Sequence, residues 1–379
     1  MRRFLVFSLY LLVLVSCRAQ TTPTPAPRLQ VGAEELLFCM RRHLDLQVCN
    51  FAGMVSDGNS VAVVANQTSV VGTTHLVDTL LRREVNVVKI FCPEHGFRGT
   101  AEAGAHVDNS VDPETGLPII SLYGKNKKPT QEQLVDVNVV IFDLQDVGCR
   151  FYTYLSTLHY VMEACAERSI PLIVLDRPNP NGHYIDGPVL DTAKYRSFVG
   201  MHPVPIVYGM TIGEYAQMIN GEHWLAGGKE CWLFVVPMQG YRRDSVYELP
   251  VPPSPNLRNA HAIALYPSLC LFEGTNCGVG RGTPYPFEIV TYASDTLNLR
   301  QITPDNGCID LRYLMEMYRR VPQGKFFQKS NFFEKLAGTG ELRKQIMEGI
   351  VDAIAHKSEI RQFFNLSHFV GREELGVVF

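Results

Sequence analysis

Four stretches of this 379-residue chain gather side chains able to move protons or hold anions. The first is FCPEHGFRG, Phe91 to Gly99, which places Glu94, His95 and Arg98 within five positions. A glutamate beside a histidine can do acid–base work, and an arginine close by can hold a carboxylate or phosphate. The second is DLQDVGCRFYTY, with Asp143, Asp146, Arg150, Tyr152 and Tyr154. The third is LDRPNPNG, with Asp176, Arg177 and Asn179. The fourth lies further on, between Pro252 and Glu288, and carries Asn256, Glu273, Asn276 and Arg281 among several glycines. Any one of these acids could instead cap a helix or form a turn. The case for a site rests on their placement together.

That placement follows from the runs before them. VNVVKI, VNVVIF and IPLIVL are β-branched and apolar without alternation, which reads as strands buried on both faces. Each ends in a polar cluster, and a helical stretch follows: about Tyr152–Arg168 after the second, and a capping box Thr211–Glu214 opening another helix. Strands alternating with helices imply a parallel, doubly wound sheet, in which ligands bind outside the carboxyl ends of the strands. Further elements are helices at Glu34–Leu46, His75–Arg83 and after Thr130, and short strands beginning at Val61, Pro118 and Trp232. The segment from Leu311 onward reads as mostly helical, with an apolar stripe over Glu341–Ala355. Thr100 to Leu117 is a long polar loop holding Glu102, His106, Asp108 and Asp112. Proline clustering near Gly240–Pro255 marks a boundary, giving a Rossmann-like domain over 31–245 and a smaller α/β domain over 246–379 that closes the cleft.

Composition narrows the field. The formal net charge of −3 offers no basic footprint, which argues against a nucleic-acid partner. No phosphate-cradling GxGxxG or GxxxxGK[ST] follows these strands, so no nucleotide cofactor is expected. The chain lacks GxSxG and HExxH. Its ten cysteines show neither CxxC spacing nor a cysteine–histidine cluster, so neither a zinc site nor a dense disulfide framework is expected. At the amino terminus Arg2 and Arg3 precede the apolar run Phe4–Val15, the pattern of an export signal. Leu14-Val15-Ser16-Cys17 fits a lipobox, so residues 1–17 read as a lipoprotein signal with acylation at Cys17; cleavage after Ala19 is the alternative. Residues 18–30, with the TTPTPAP run, read as an extended tether. The expected location is outside the cytoplasm of a bacterium, on a membrane through the lipid anchor alone.

PEHGFRG, SLYG, FDLQDVGCRFYTY, LDRPNPNG, SFVGM, YGMTIGE, PPSPN and LFEGTNCGVGRGT occur in that order. Together they resemble the NamZ-type exo-β-N-acetylmuramidases, formerly a bacterial domain of unknown function. The resemblance runs from about Val61 to the end of the chain. It implies a Rossmann-like domain with a smaller α/β domain, a site between them, and no nucleotide cofactor. The implied activity is removal of N-acetylmuramic acid from the non-reducing end of peptidoglycan fragments, with Glu94 as catalytic glutamate. Cys92, Cys149 and the NQTS turn at Asn66–Ser69 depart from the family pattern.

Glycoside hydrolysis generally uses two carboxyl groups. With Glu94 as acid, the second is Asp143 or Glu273, or the substrate's own acetamido group replaces it. Muramic acid carries a lactyl carboxylate, which Arg98, Arg150, Arg177 or Arg281 could grip, Arg98 being the first choice. His95, Tyr152, Asp176, Asn179, Asn256 and Asn276 complete the expected sugar contacts. Two other readings stay open: a tethered sugar- or peptide-binding lipoprotein without catalysis, and a metal-dependent esterase using Glu94, His95, His106 and Asp108.

Overall fold

The computed structural model describes residues 28–42, 50–98, 109–245, 247–304, 307–322 and 324–349. The export signal, Cys17, the TTPTPAP tether, His106, Asp108 and everything after Gly349 lie outside the described residues. The elements in chain order begin with α1 (Gly32–Arg42), α2 (Asn50–Ser56), β1 (Val61–Ala65), β2 (Val70–Val71), β3 (Thr74–His75), α3 (Leu76–Leu81) and β4 (Val87–Cys92). β5 (Ser110–Val111), β6 (Pro118–Ser121), β7 (Val139–Asp143), α4 (Tyr154–Arg168), β8 (Leu172–Leu175), α5 (Thr192–Tyr195), α6 (Ile212–Gly221) and β9 (Leu233–Val236) follow. The rest comprises α7 (Ala260–Leu269), the antiparallel hairpin β10 (Ile289–Tyr292) and β11 (Asp295–Asn298), α8 (Arg312–Arg320), α9 (Ser330–Ala337) and α10 (Glu341–Met347).

Seven strands form one sheet in the order β5-β6-β4-β1-β7-β8-β9. All neighbours run parallel except the edge pair β5–β6. The central strands are buried along their whole length, as apolar runs without alternation require of a sheet covered on both sides. Successive side chains still go to opposite faces. Val61, Val63, Ala65, Ile141 and Ile173 join the core under α1, α2 and α3. Ala62, Val64, Phe142 and Val174 join the core under α4 and α6. That second core runs on without a break through Leu265, Leu314 and Phe333 of the carboxyl-terminal helices and Val290 of the hairpin.

Capping chemistry decides several boundaries. The Thr211–Glu214 capping box forms in both directions and starts α6. Thr130 and Gln133 make the same pair of bonds, yet only the 3-10 turn Glu132–Leu134 follows. The chain must enter β7 a few residues later. The helix expected from Tyr152 begins two residues on, because Phe151–Thr153 are spent shaping the site.

Candidate active site

A cavity of about 290 Å³ opens at the carboxyl end of the sheet. The loop after β4 contributes Glu94 and His95, the loop after β6 contributes Tyr123, and the loop after β7 contributes Phe151 to Tyr154. From the carboxyl-terminal half come Ser254, Tyr266, Glu273, Arg281 and Phe287, with Phe332 and Leu336 of α9. A volume at the small end of the range for ligand pockets accommodates roughly one pyranose with its substituents.

The polar groups inside are held by short bonds. The Thr153 hydroxyl donates to Glu94 Oε2 at 2.9 Å. Tyr123 lines the cavity beside Glu94, where burial and the nearby Glu94 carboxylate push its pKa up. Arg281 donates from Nε and Nη2 to Glu273 Oε1, at 2.8 and 2.5 Å. Its guanidinium lies 5.0 Å from the centre of the Phe287 ring. The cavity therefore presents two carboxyl groups and one guanidinium, with hydroxyls between them.

Aromatic rings form the walls. Tyr152 meets Tyr154 edge-on at 4.7 Å and Tyr266 at 6.0 Å; Tyr266 meets Phe287 at 5.0 Å. The tyrosine hydroxyls are not free for sugar: Tyr152 donates to Pro253 O at 2.9 Å, and Tyr154 accepts from Asn66 Nδ2 at 2.7 Å. These bonds, with Gln67 Nε2 on the carbonyls of Pro252 and Pro253, fasten the PPSPN loop against the turn after β1. Two wall residues carry left-handed backbone, His95 at φ 74 and Phe287 at φ 58. For a ring-bearing residue this conformation costs energy and concentrates at functional sites.

Glu94, His95, Tyr152, Glu273 and Arg281 thus meet in one place. The other expected site residues do not line this cavity. Asp143, wholly buried, forms a two-pronged ion pair with Arg177, at 2.6 Å from Nε and 2.9 Å from Nη2. Neither lines the cavity; of the two carboxyls expected beside Glu94, Glu273 is the one that does. Asp176 accepts from Gly213 N, Thr211 Oγ1 and Arg177 N and anchors the start of α6; burial pushes its pKa up to about 7. Asn179 bonds Met210 O and Asn181 N, stabilising a turn. Asn276 ties its backbone N–H to Phe326 O. Asn256 is buried in the PPSPN loop, and its Nδ2 finds no partner among the described residues.

Two arginines also leave the list. Arg98 points away to Asp112, both of whose oxygens it meets at 3.0 Å, and to Glu114 at 3.2 Å. Arg150 is 1% exposed and donates to four backbone carbonyls, those of Pro188, Val204, Leu336 and Ala337. Two belong to the last turn of α9, whose free carbonyls attract a cation. Burial pulls the Arg150 pKa down to about 9. Arg281 remains as the arginine of the cavity.

Sequence reasoning missed Tyr123, Thr153, Tyr266 and Phe287. Tyr123 was legible: SLYG ends β6, which pairs in parallel with β4 and so delivers its end to the same edge. Thr153 sits in a motif whose tyrosines drew attention instead. Tyr266 and Phe287 reach the cavity only through long-range packing.

A doubly wound sheet with two carboxyls and an arginine over its carboxyl edge defines a class of protein built for acid–base chemistry on a small polar ligand. Two family models match, one described as "Exo-beta-N-acetylmuramidase NamZ, N-terminal" over residues 61–261, the other as its C-terminal counterpart over residues 264–303. The chain belongs to the NamZ family. It is 41% identical to the peptidoglycan beta-N-acetylmuramidase NamZ of Bacillus subtilis, over 85% of each chain. Two crystal structures of DUF1343 family proteins from Bacteroides fragilis superpose well. One is 38% identical with a TM-score of 0.75, covering 92% of this chain and 98% of that one. The other is 26% identical with a TM-score of 0.70, covering 89% and 99%.

Proposed function

We infer that this protein is an exo-acting glycoside hydrolase that removes N-acetylmuramic acid from the non-reducing end of peptidoglycan fragments. The observation that carries this is the cavity: room for about one sugar, with two carboxyls and one arginine. A groove able to cut inside a glycan would have to run past the site on both sides. Glu94 protonates the glycosidic oxygen as its bond to C1 breaks. Glu273 supports attack at C1, and water completes the hydrolysis. Arg281 takes the lactyl carboxylate, replacing Arg98, which is committed to Asp112 and Glu114. The protein is organised as signal 1–17, tether 18–30, sheet domain 31–245 and smaller domain 246–379, and is exported and lipid-anchored at Cys17. The sequence pattern supports that last reading, and Cys17→Ser releasing the protein from membranes is its test.

The activity is tested on a synthetic muramyl–glucosamine disaccharide free of peptide. Free N-acetylmuramic acid is the expected product, and its absence would sink the reading in favour of a binding protein. Arg281 is tested with the analogue whose terminal sugar is N-acetylglucosamine. Stranding one partner of a charge-assisted pair costs on the order of 2–5 kcal/mol when buried, so Arg281→Ala should lose at least about tenfold in kcat/KM on the muramyl substrate. It should lose clearly less on the analogue, where only the hold of Arg281 on Glu273 is removed. Equal losses on both would remove Arg281 from lactyl recognition.

A further inference from the structure

We propose that Tyr123, paired with Thr153, is a positioning residue that holds Glu94 in place through both of its protonation states. This deepens the glycosidase reading and rests on it. Three observations carry it. The Thr153 hydroxyl, just before α4, donates to Glu94 Oε2 at 2.9 Å, and Tyr123, two residues past β6, lines the same cavity beside Glu94. Tyr123 also shares that cavity lining with Glu273 and Arg281. Its backbone is pinned at the end of β6, where its N–H donates to Ser121 Oγ at 3.2 Å.

The hydroxyls matter because of what the carboxyl must do. As the C1–oxygen bond breaks, the Glu94 proton goes to the departing oxygen. A proton from water restores it by the end of the cycle. A partner that can only donate, such as an amide N–H, is matched to the carboxylate and opposed by the acid. A hydroxyl both donates and accepts, so it turns to suit each state without moving its oxygen. Burial together with the Glu94 carboxylate pushes the Tyr123 pKa up, so this hydroxyl keeps its own proton throughout. Thr153 supplies the same adaptability on Oε2. Glu94 thereby stays aimed at one point while its charge changes.

The experiment compares Tyr123→Phe with wild type on two substrates: the muramyl–glucosamine disaccharide and 4-nitrophenyl N-acetylmuraminide. Nitrophenolate leaves without being protonated, so it has little need of a well-aimed acid. On the disaccharide Tyr123→Phe should lose roughly 10- to 100-fold in kcat, a part of what general acid catalysis is worth, with KM within about threefold. On the nitrophenyl substrate the loss should fall to about threefold or less. Thr153→Val should show the same asymmetry at smaller size, and the melting temperature of Tyr123→Phe should match wild type, since the ring is retained. Equal losses on both substrates, or losses below about threefold on both, would overturn the inference. A wild type inactive on both substrates would instead sink the hydrolase reading itself.

Discussion

The carboxylates of this protein divide into two groups that look alike in sequence. Asp143, Asp146 and Asp176 end strands or begin the loops after them, as Glu94 does. Yet Asp143, Asp146 and Asp176 are buried and spent on the fold, tied to Arg177, to Tyr208 and Gly148 N, and to the start of α6. Glu94 and Glu273 meet in the cavity, where the Thr153 hydroxyl donates to the first and Arg281, itself facing the cavity, to the second. What separates the two groups is where they lie: the scaffold acids are buried in the fold, and Glu94 and Glu273 line the cavity.

The strongest test of that division exchanges the two phenotypes. Glu94→Gln should cost 10²–10⁴-fold in kcat while leaving unfolding free energy within about 0.5 kcal/mol of wild type. Asp143→Asn should do the reverse. It leaves the Arg177 charge buried without a counter-ion, which costs about 3–5 kcal/mol of stability, read by urea unfolding. Specific activity of the folded fraction should survive. A stable but inactive Asp143→Asn protein would return Asp143 to the chemistry.

A smaller effect is expected where the two groups are joined mechanically. Gly274 follows Glu273, and a methyl group there would lie 2.3 Å from Phe333 Cα in α9. Gly274→Ala must push α9 and the Glu273 turn apart, at about 1–3 kcal/mol. A lowered melting temperature with a several-fold drop in kcat is expected, and unchanged kcat would show that Glu273 tolerates the shift.

The gentlest test uses pH. Burial raises the pKa of Asp146 to about 7, against an ordinary value of 3.8. Between those values the folded state holds a proton that the unfolded chain has released. The stability Asp146 contributes is therefore fully present below about 3.8 and lost as pH rises through 7. Asp146→Asn should flatten the fall of stability with rising pH in that window, by less than about 1.4 kcal/mol per pH unit. Buried His159 and His202, whose pKa values are lowered by burial to about 4 and about 2, tilt stability the opposite way in acid. The difference between variant and wild type is therefore the quantity to read. An identical slope would mean that Asp146 does not titrate there.

The sheet was legible because its strands are apolar runs and its caps are short-range motifs. Strands begin at Val61, Val87, Val139 and Leu172 as the runs predict, and the Thr211 box opens a helix. The site was half legible. PEHG and the FEG–GRG loop pointed to Glu94, His95, Glu273 and Arg281, which the cavity unites. Arginine misled. Arg98, Arg150 and Arg281 have the same chemistry in sequence, and only the placement of Asp112, of the α9 carbonyls and of Glu273 tells them apart. Such partners lie from 8 positions away, for Glu273, to 187, for the Ala337 carbonyl on Arg150.

Arg150 has a kinetic consequence. Its guanidinium bolts the last turn of α9 to the carbonyls of Pro188 and Val204, and α9 supplies Phe332 and Leu336 to the cavity wall. Swinging α9 outward would leave part of a buried cation without acceptors, at several kcal/mol, so an open wall is populated at about 1% or less. The α9 side of the wall therefore stands in place before any sugar arrives. Capture should be a single bimolecular step without a slow isomerisation, and little of the binding free energy goes into ordering the protein. A glycan end either fits the standing shape on encounter or diffuses away.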